Sequence, residues 1–174
     1  KVVTAWNGMM ISTLAIAGDV LDNKQYRDAA VTAAEFIWKH NRKRTGELWR
    51  TYLHGNSSID ATQEDYAYYG EALLHIYDVT GDRLWLQRAI DTTDVMVKLF
   101  WDEDSGGFYI STGDGPGSLG RFKESSDNAI PSGNSIALRV LQMLSIRTSE
   151  QKYSELANAL IKEFSASIDK HPVS

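Results

Sequence analysis

A chain of 174 residues, 43% hydrophobic and 24% charged, is long enough for one domain with a sizeable core. Its formal net charge of −5 argues against nucleic acid as the main partner, because neutralising phosphates needs a basic face. The absence of cysteine excludes disulfides, thiol chemistry and cysteine zinc sites, and His40, His54, His75 and His171 show no metal-ligand spacing. No metal and no cofactor is therefore expected.

The N-terminus imitates a secretory leader. Lys1 precedes an apolar run, and Ala15-Ile16-Ala17 resembles a cleavage site. The run is broken at Trp6-Asn7-Gly8 and at Ser12-Thr13, and it is shorter than the roughly 20 residues that a membrane span needs. It reads as a core helix over residues 4–21. Met9, Met10, Ile11, Leu14, Ala15, Ile16 and Ala17 cover most of its circumference, as in a helix buried among others. No membrane partner and a cytoplasmic location are expected. The missing initiating Met points to a processed chain or an excised piece.

A second helix, residues 24–40, is amphipathic, with Tyr26, Ala29, Ala30, Ala33 and Ile37 on one stripe. Arg42, Lys43 and Arg44 read as a solvated helix end. Residues 48–52 form a strand or hairpin arm, and 56–62 a polar loop. Residues 63–80 are a third helix, rich in tyrosine, stopped at Gly81. A fourth, 83–101, carries its stripe at Trp85, Ala89, Thr92, Met96 and Phe100. After a turn at 102–107 comes a short strand at 108–110, then a glycine-rich loop at 111–120, read as mobile. A fifth helix follows residues 123–134, with Pro131 near its start. A sixth spans 150–168, with Tyr153, Leu156, Ala157, Leu160, Ile161 and Phe164 inward.

These helices repeat in pairs. Trp85 follows Tyr26 by 59 residues and Tyr153 follows Trp85 by 68, and each aromatic has an Ala four residues on. Nineteen residues before each stand Asn7, Tyr66 and Asn134, at the openings of the three apolar helices. Such a period indicates stacked helical hairpins, apolar helices inside and amphipathic ones outside. Six such hairpins close a toroid. The inner helices run the same way, so their N-termini gather on one rim, where free N–H groups favour acceptors.

That rim carries the candidate site: Trp6, Asn7 and Gly8 at the first opening, Glu64, Asp65 and Tyr66 at the second, Ser132, Gly133 and Asn134 at the third. Glu124 and Asp127 lie in the stretch that feeds the third. Aromatic rings can stack on a sugar while carboxylates and amides bond its hydroxyls, and two carboxylates can do acid/base work. Asp65, Glu124 and Asp127 are the catalytic candidates; Trp6, Asn7, Tyr66, Ser132 and Asn134 are the substrate-binding ones. The competing reading makes Asp65, Ser132 and Asn134 helix caps and Trp6 a core residue. His40 and His54 read as surface residues, His75 as a core one.

Four segments carry a resemblance: Val3-Thr4-Ala5-Trp6-Asn7-Gly8, Asp65-Tyr66-Ala67, Phe100-Trp101-Asp102-Glu103 followed by Gly106-Gly107-Phe108, and Lys123-Glu124 followed by Asp127 and Pro131-Ser132-Gly133-Asn134-Ser135. Over nearly its whole length the chain resembles the YyaL-type family of thioredoxin-domain-containing proteins. The resemblance implies a C-terminal (α/α)6 toroid similar to six-hairpin glycosidases and N-acylglucosamine 2-epimerases, with the rim as its cleft. It implies no particular reaction. A thioredoxin-like domain and its cysteine motif are not in this chain, so redox activity does not carry over.

The expectation is thus an all-α arc of three antiparallel helical hairpins, part of an (α/α)6 toroid, with short β arms in the connections. Residues 1–174 would form about half the ring, completed by the remainder of a longer protein or by a homodimer. The first functional expectation is a carbohydrate-binding or carbohydrate-active domain of glycosidase or epimerase type, with a small sugar as partner. The alternative is a non-catalytic scaffold beside a thioredoxin-like domain.

Overall fold

A computed structural model describes residues 1–113 and 121–170, with side chains up to residue 165. The expected loop at 111–120 and His171 lie largely or wholly outside the described residues. Six helices pair into three antiparallel hairpins: α1 (Thr4–Val20) with α2 (Lys24–His40), α3 (Gln63–Thr80) with α4 (Arg83–Phe100), and α5 (Gly133–Thr148) with α6 (Gln151–Lys170). α3 also packs against α1 on one side and α5 on the other, so α1, α3 and α5 form the inner layer of an arc.

The sequence explains this layering. α3 buries nearly its whole circumference, from Gln63 to Ile76, as a helix wrapped by three neighbours must. α4 buries one stripe, Trp85, Ala89, Thr92, Met96 and Phe100, as its period requires. The stripe of α2 is turned from the expected one. Ala30, Ala34 and Ile37 are buried, while Tyr26 and Ala29 are exposed, and near the turn it is Arg27 that packs against Gly18 of α1. The hairpins are closed by caps. Asn23 and Asp82 accept N–H bonds at the starts of α2 and α4, and Gly81 takes φ +68° after α3. Between α1 and α3 the backbones nearly touch. A Cβ on Gly8 would lie 2.7 Å from the Tyr68 carbonyl, so only glycine lets α1 come this close.

The β elements differ from expectation. β2 (Trp49–Leu53) is the expected arm, but it pairs with β3 (Asn56–Asp60), read as a polar loop, and with β1 (Val2–Val3). His54 and Gly55 make the two-residue turn between them, both at positive φ, as a primed turn requires. The segment at 108–110 is extended but makes only isolated bridges, Trp101 to Phe108 and Tyr109 to Lys123. α1 ends at Val20, α4 at Phe100, and α5 begins at Gly133, after Pro131.

One side chain anchors the loop that approaches the rim. The Lys123 ammonium lies 2.8 Å from both Asp102 and Glu163 and donates to the Gly106 carbonyl at 2.6 Å. Asp102 also accepts from the Ser105 and Tyr109 hydroxyls, both at 2.8 Å, and from the Asp104 N–H at 3.0 Å. Lys123 first, then these donors, hold the Asp102 carboxyl far below its ordinary 3.8. A depressed carboxylate stabilises the fold above its unfolded pKa, and that contribution disappears as pH falls through the folded one. Acidification below about pH 4 should therefore raise hydrogen exchange at the Gly106 and Tyr109 amides before the helices melt. Lys123→Met should produce the same loosening already at neutral pH. Unchanged protection in both cases would contradict the anchor.

Candidate functional site

The three inner openings meet on one edge. Asp65, in the first turn of α3, reaches across to α1, where its Oδ1 accepts the Ala5 N–H at 2.9 Å. Gln63, at the start of α3, reaches the other way and donates to the Gly133 carbonyl at 2.9 Å. The Tyr68 hydroxyl donates to the Pro131 carbonyl at 2.8 Å. α1, α3 and α5 thus begin side by side.

Between the second and third openings lies a cavity of about 230 Å³, lined by Arg50, Thr62, Gln63, Glu64, Ile110, Glu124, Gly133 and Asn134. Arg50 reaches it from β2. Its guanidinium binds Glu64 Oε1 at 2.8 Å, Asp65 Oδ2 at 2.9 Å and Thr62 Oγ1 at 2.6 Å. Glu124 enters from the opposite wall and is exposed, its carboxylate accepting one bond of 3.2 Å from Asn128. Asn134 holds that wall in place. Its amide donates to the Glu124 carbonyl at 2.8 Å and exchanges two 2.9 Å bonds with the Phe108 backbone. A second hollow, about 440 Å³, lies away from the rim over the Asp102 loop and α6.

The candidate residues divide on this geometry. Glu124 and Asn134 line the cavity. Trp6 stands at the rim, 64% exposed, next to the Ala5 that Asp65 holds. Asn7 is turned back on its own helix, donating to the Val3 carbonyl at 2.8 Å. Ser132 caps α5, accepting the Ser135 N–H. Asp127 supports that cap, accepting from the Ser132 N–H at 2.8 Å and the Ser135 hydroxyl at 2.9 Å.

Asp65 and Tyr66 lie away from the cavity. Asp65 is fully buried and closes a capping box with Thr62 besides bonding Ala5 and Arg50. Burial pushes its carboxyl up, against the pull of Arg50 and of the Thr62 and Ala5 N–H groups. Tyr66 sits in the core beside Phe100, its hydroxyl accepting the Leu48 N–H at 2.8 Å, and burial pushes that hydroxyl up to about 12. One residue of helix is a 100° turn, so Tyr66 faces α4 while Asp65 faces α1.

Arg50, Thr62, Gln63, Glu64, Ile110 and Gly133 complete the cavity and were not among the residues given a role. Glu64 stood beside Asp65 in the second opening. Arg50 and Ile110 are distant in sequence and carried no local signal. Among the described residues no group of three or more acidic or histidine side chains is placed to hold a metal ion, and no helix is long and apolar enough to cross a membrane.

No family model matches the chain. It is 32% identical to human spermatogenesis-associated protein 20 over 183 aligned residues, covering 99% of this chain and 23% of that protein. The chain therefore spans about a quarter of that relative's length. An α-mannanase of family GH76 from Bacteroides thetaiotaomicron superposes on 96% of this chain and 46% of its own, with TM-score 0.76 and 19% identity. The fold is that of six-hairpin glycosidase-like toroids. A cellobiose 2-epimerase from Spirochaeta thermophila superposes with TM-score 0.72 and 19% identity, over 93% of this chain and 42% of its own. At such identities the likeness concerns the fold.

Proposed function

We propose that the rim cleft binds a carbohydrate and that Glu124 and Glu64 are the carboxylates facing it. The observation that carries this reading is the cavity itself. Glu64, Glu124 and Arg50, with Gln63 and Asn134, line one small space at the inner-helix openings. Nearby stands Trp6, the most exposed of the five tryptophans. Carboxylates accept from sugar hydroxyls, Arg50 donates to them, and an indole covers the apolar face of a pyranose. The solved toroids named above act on mannan and cellobiose, which makes mannobiose and cellobiose the first probes.

Catalysis is a narrower reading. Of the three expected acid/base groups, Asp65 spends both oxygens on backbone and side-chain donors, and Asp127 spends its Oδ1 on the α5 cap. Glu124 remains, with Glu64 opposite. The same observation favours the second reading, a binding or scaffold module attached to a thioredoxin-like domain, with this arc as about half of a toroid. Calorimetric titration of the full-length protein with mannobiose and cellobiose tests the carbohydrate reading. Saturable binding should occur with at least one sugar, and Trp6→Ala and Glu124→Gln should each weaken it about tenfold, about 1.4 kcal/mol. Absence of binding in a cooperatively folded protein would favour the module.

A further inference from the structure

Along α3, Glu64, Glu71 and Asp78 stand seven residues apart, which keeps them on one face of the helix. Each meets an arginine from another element. Arg50 of β2 binds Glu64 at 2.8 Å, Arg139 of α5 lies 3.0 Å from Glu71, and Arg147 of α5 grips Asp78, its Nε donating at 2.7 Å and its Nη2 in a second bond. Tyr68 and His75 fall on the same face by helical spacing. The three pairs form a ladder that runs from the rim cavity down the helix.

The rungs are not alike. The outer two are closed by hydrogen bonds. In the middle one Glu71 is 5% exposed, yet its Oε1 is a buried oxygen with no hydrogen-bond donor among the described residues. Arg139 lies within ion-pair distance but out of hydrogen-bonding alignment, and its own side chain is 56% exposed. Burial pushes the Glu71 carboxyl up, and Arg139 offsets this only in part. An elevated carboxyl pKa means that ionisation works against folding. That cost is absent below the ordinary value of 4.5 and complete above the folded one. Because the Glu71 Oε1 accepts no hydrogen bond among the described residues that would be lost, a neutral glutamine at this position should be tolerated by the fold. A buried charge that the fold does not need points to use by a ligand.

We propose that Glu71 and Arg139 form a ligand subsite that takes two neighbouring hydroxyls of a neutral sugar. The carboxylate accepts from one hydroxyl, and the guanidinium donates to the next. This rests on the carbohydrate reading and extends it from the rim along the inner face of α3. The charge balance sets the substrate class. Arg50, Arg139 and Arg147 are each matched by a carboxylate, with Asp65 as a further negative charge, so the ladder has no cation to spare for a uronate or a sugar phosphate.

Calorimetry and thermal melts of the full-length protein at pH 7 test this. The ligands are mannobiose, cellobiose and glucuronate, and the variants are Glu71→Gln, Arg139→Met and Trp6→Ala. Glu71→Gln should melt at or above the wild-type temperature and bind the neutral sugar about tenfold or more weakly. Arg139→Met should weaken binding similarly, and glucuronate should not compete. If Glu71→Gln melts lower and binds as wild type while Trp6→Ala loses affinity, the pair is structural and only the subsite is overturned. If no neutral sugar binds the wild type, the carbohydrate reading fails and the subsite with it. Tighter binding of glucuronate would overturn the assigned class.

Discussion

Asp65→Ala is expected to destabilise the protein by about 3–5 kcal/mol, the range for breaking a buried ion pair by deleting one partner. The carboxylate is fully buried and joins three elements. It caps α3 through Thr62, supplies the acceptor for the Ala5 N–H of α1, and pairs with Arg50 of β2. α1 has no cap from its own Val3 side chain, so Asp65 is the acceptor that its first turn relies on. Removal leaves two N–H groups without their acceptor and takes one of its two carboxylates from the Arg50 guanidinium. Asp65→Asn should recover part of the loss, since the amide oxygen still accepts one bond while the charge is gone. Chemical denaturation of the three proteins measures this. A loss below about 1 kcal/mol for Asp65→Ala would show that the three contacts contribute little.

Asn134→Ala comes next, at about 2–4 kcal/mol, because it opens two buried hydrogen bonds and a partly buried third, and strands the Phe108 N–H. Its effect should reach further than stability. The same amide holds the Glu124 carbonyl, and Glu124 forms one wall of the rim cavity. At a temperature where the variant is still folded, sugar affinity should fall together with stability. Asp127→Ala removes only the support of the α5 cap, so it should cost less on both counts. Equal effects from the two would mean that Asn134 does not organise the wall.

Much of the fold could be read from residues because its two helix types are chemically distinct. A helix such as α3, apolar or aromatic all round, has to be wrapped, and one such as α4, with a single stripe, has to lie outside. Their regular recurrence leaves a stacked-hairpin arc as the economical arrangement. The β hairpin was hidden for an equally physical reason. Asn56–Asp60 has one apolar residue, Ile59, and that residue is exposed, so no alternation marks it as a strand. Its turn is His54-Gly55 rather than the usual Asn-Gly or Asp-Gly signal.

The site was legible as a place and less so as a list of residues. The three openings do meet, as parallel inner helices require. Which neighbour faces the cleft depends on rotation about each helix axis, and sequence spacing leaves that angle open by tens of degrees. Hence Tyr66 is packed on Phe100, while Glu64, two residues earlier, lines the cavity. Arg50 binds Thr62, Glu64 and Asp65 together, a convergence that exists only after β2 has folded onto the start of α3. Asn134 shows how the two readings of one residue can merge. It is a buried structural clamp, and what it clamps is the wall of the cavity.

The central claim is that the rim formed by the α1, α3 and α5 openings is a carbohydrate site. Its most direct test is an NMR titration of the full-length protein with mannobiose and then cellobiose. The resonances to follow are the Trp6 indole N–H and the backbone amides of Ile110 and Gly133. The account predicts that all three move together along one saturable curve, while the Gly81 amide, bonded to the Tyr77 carbonyl at the far end of α3, stays in place. Resonances that stay unmoved at saturating sugar, or movement confined to the distant hollow over the Asp102 loop, would contradict it.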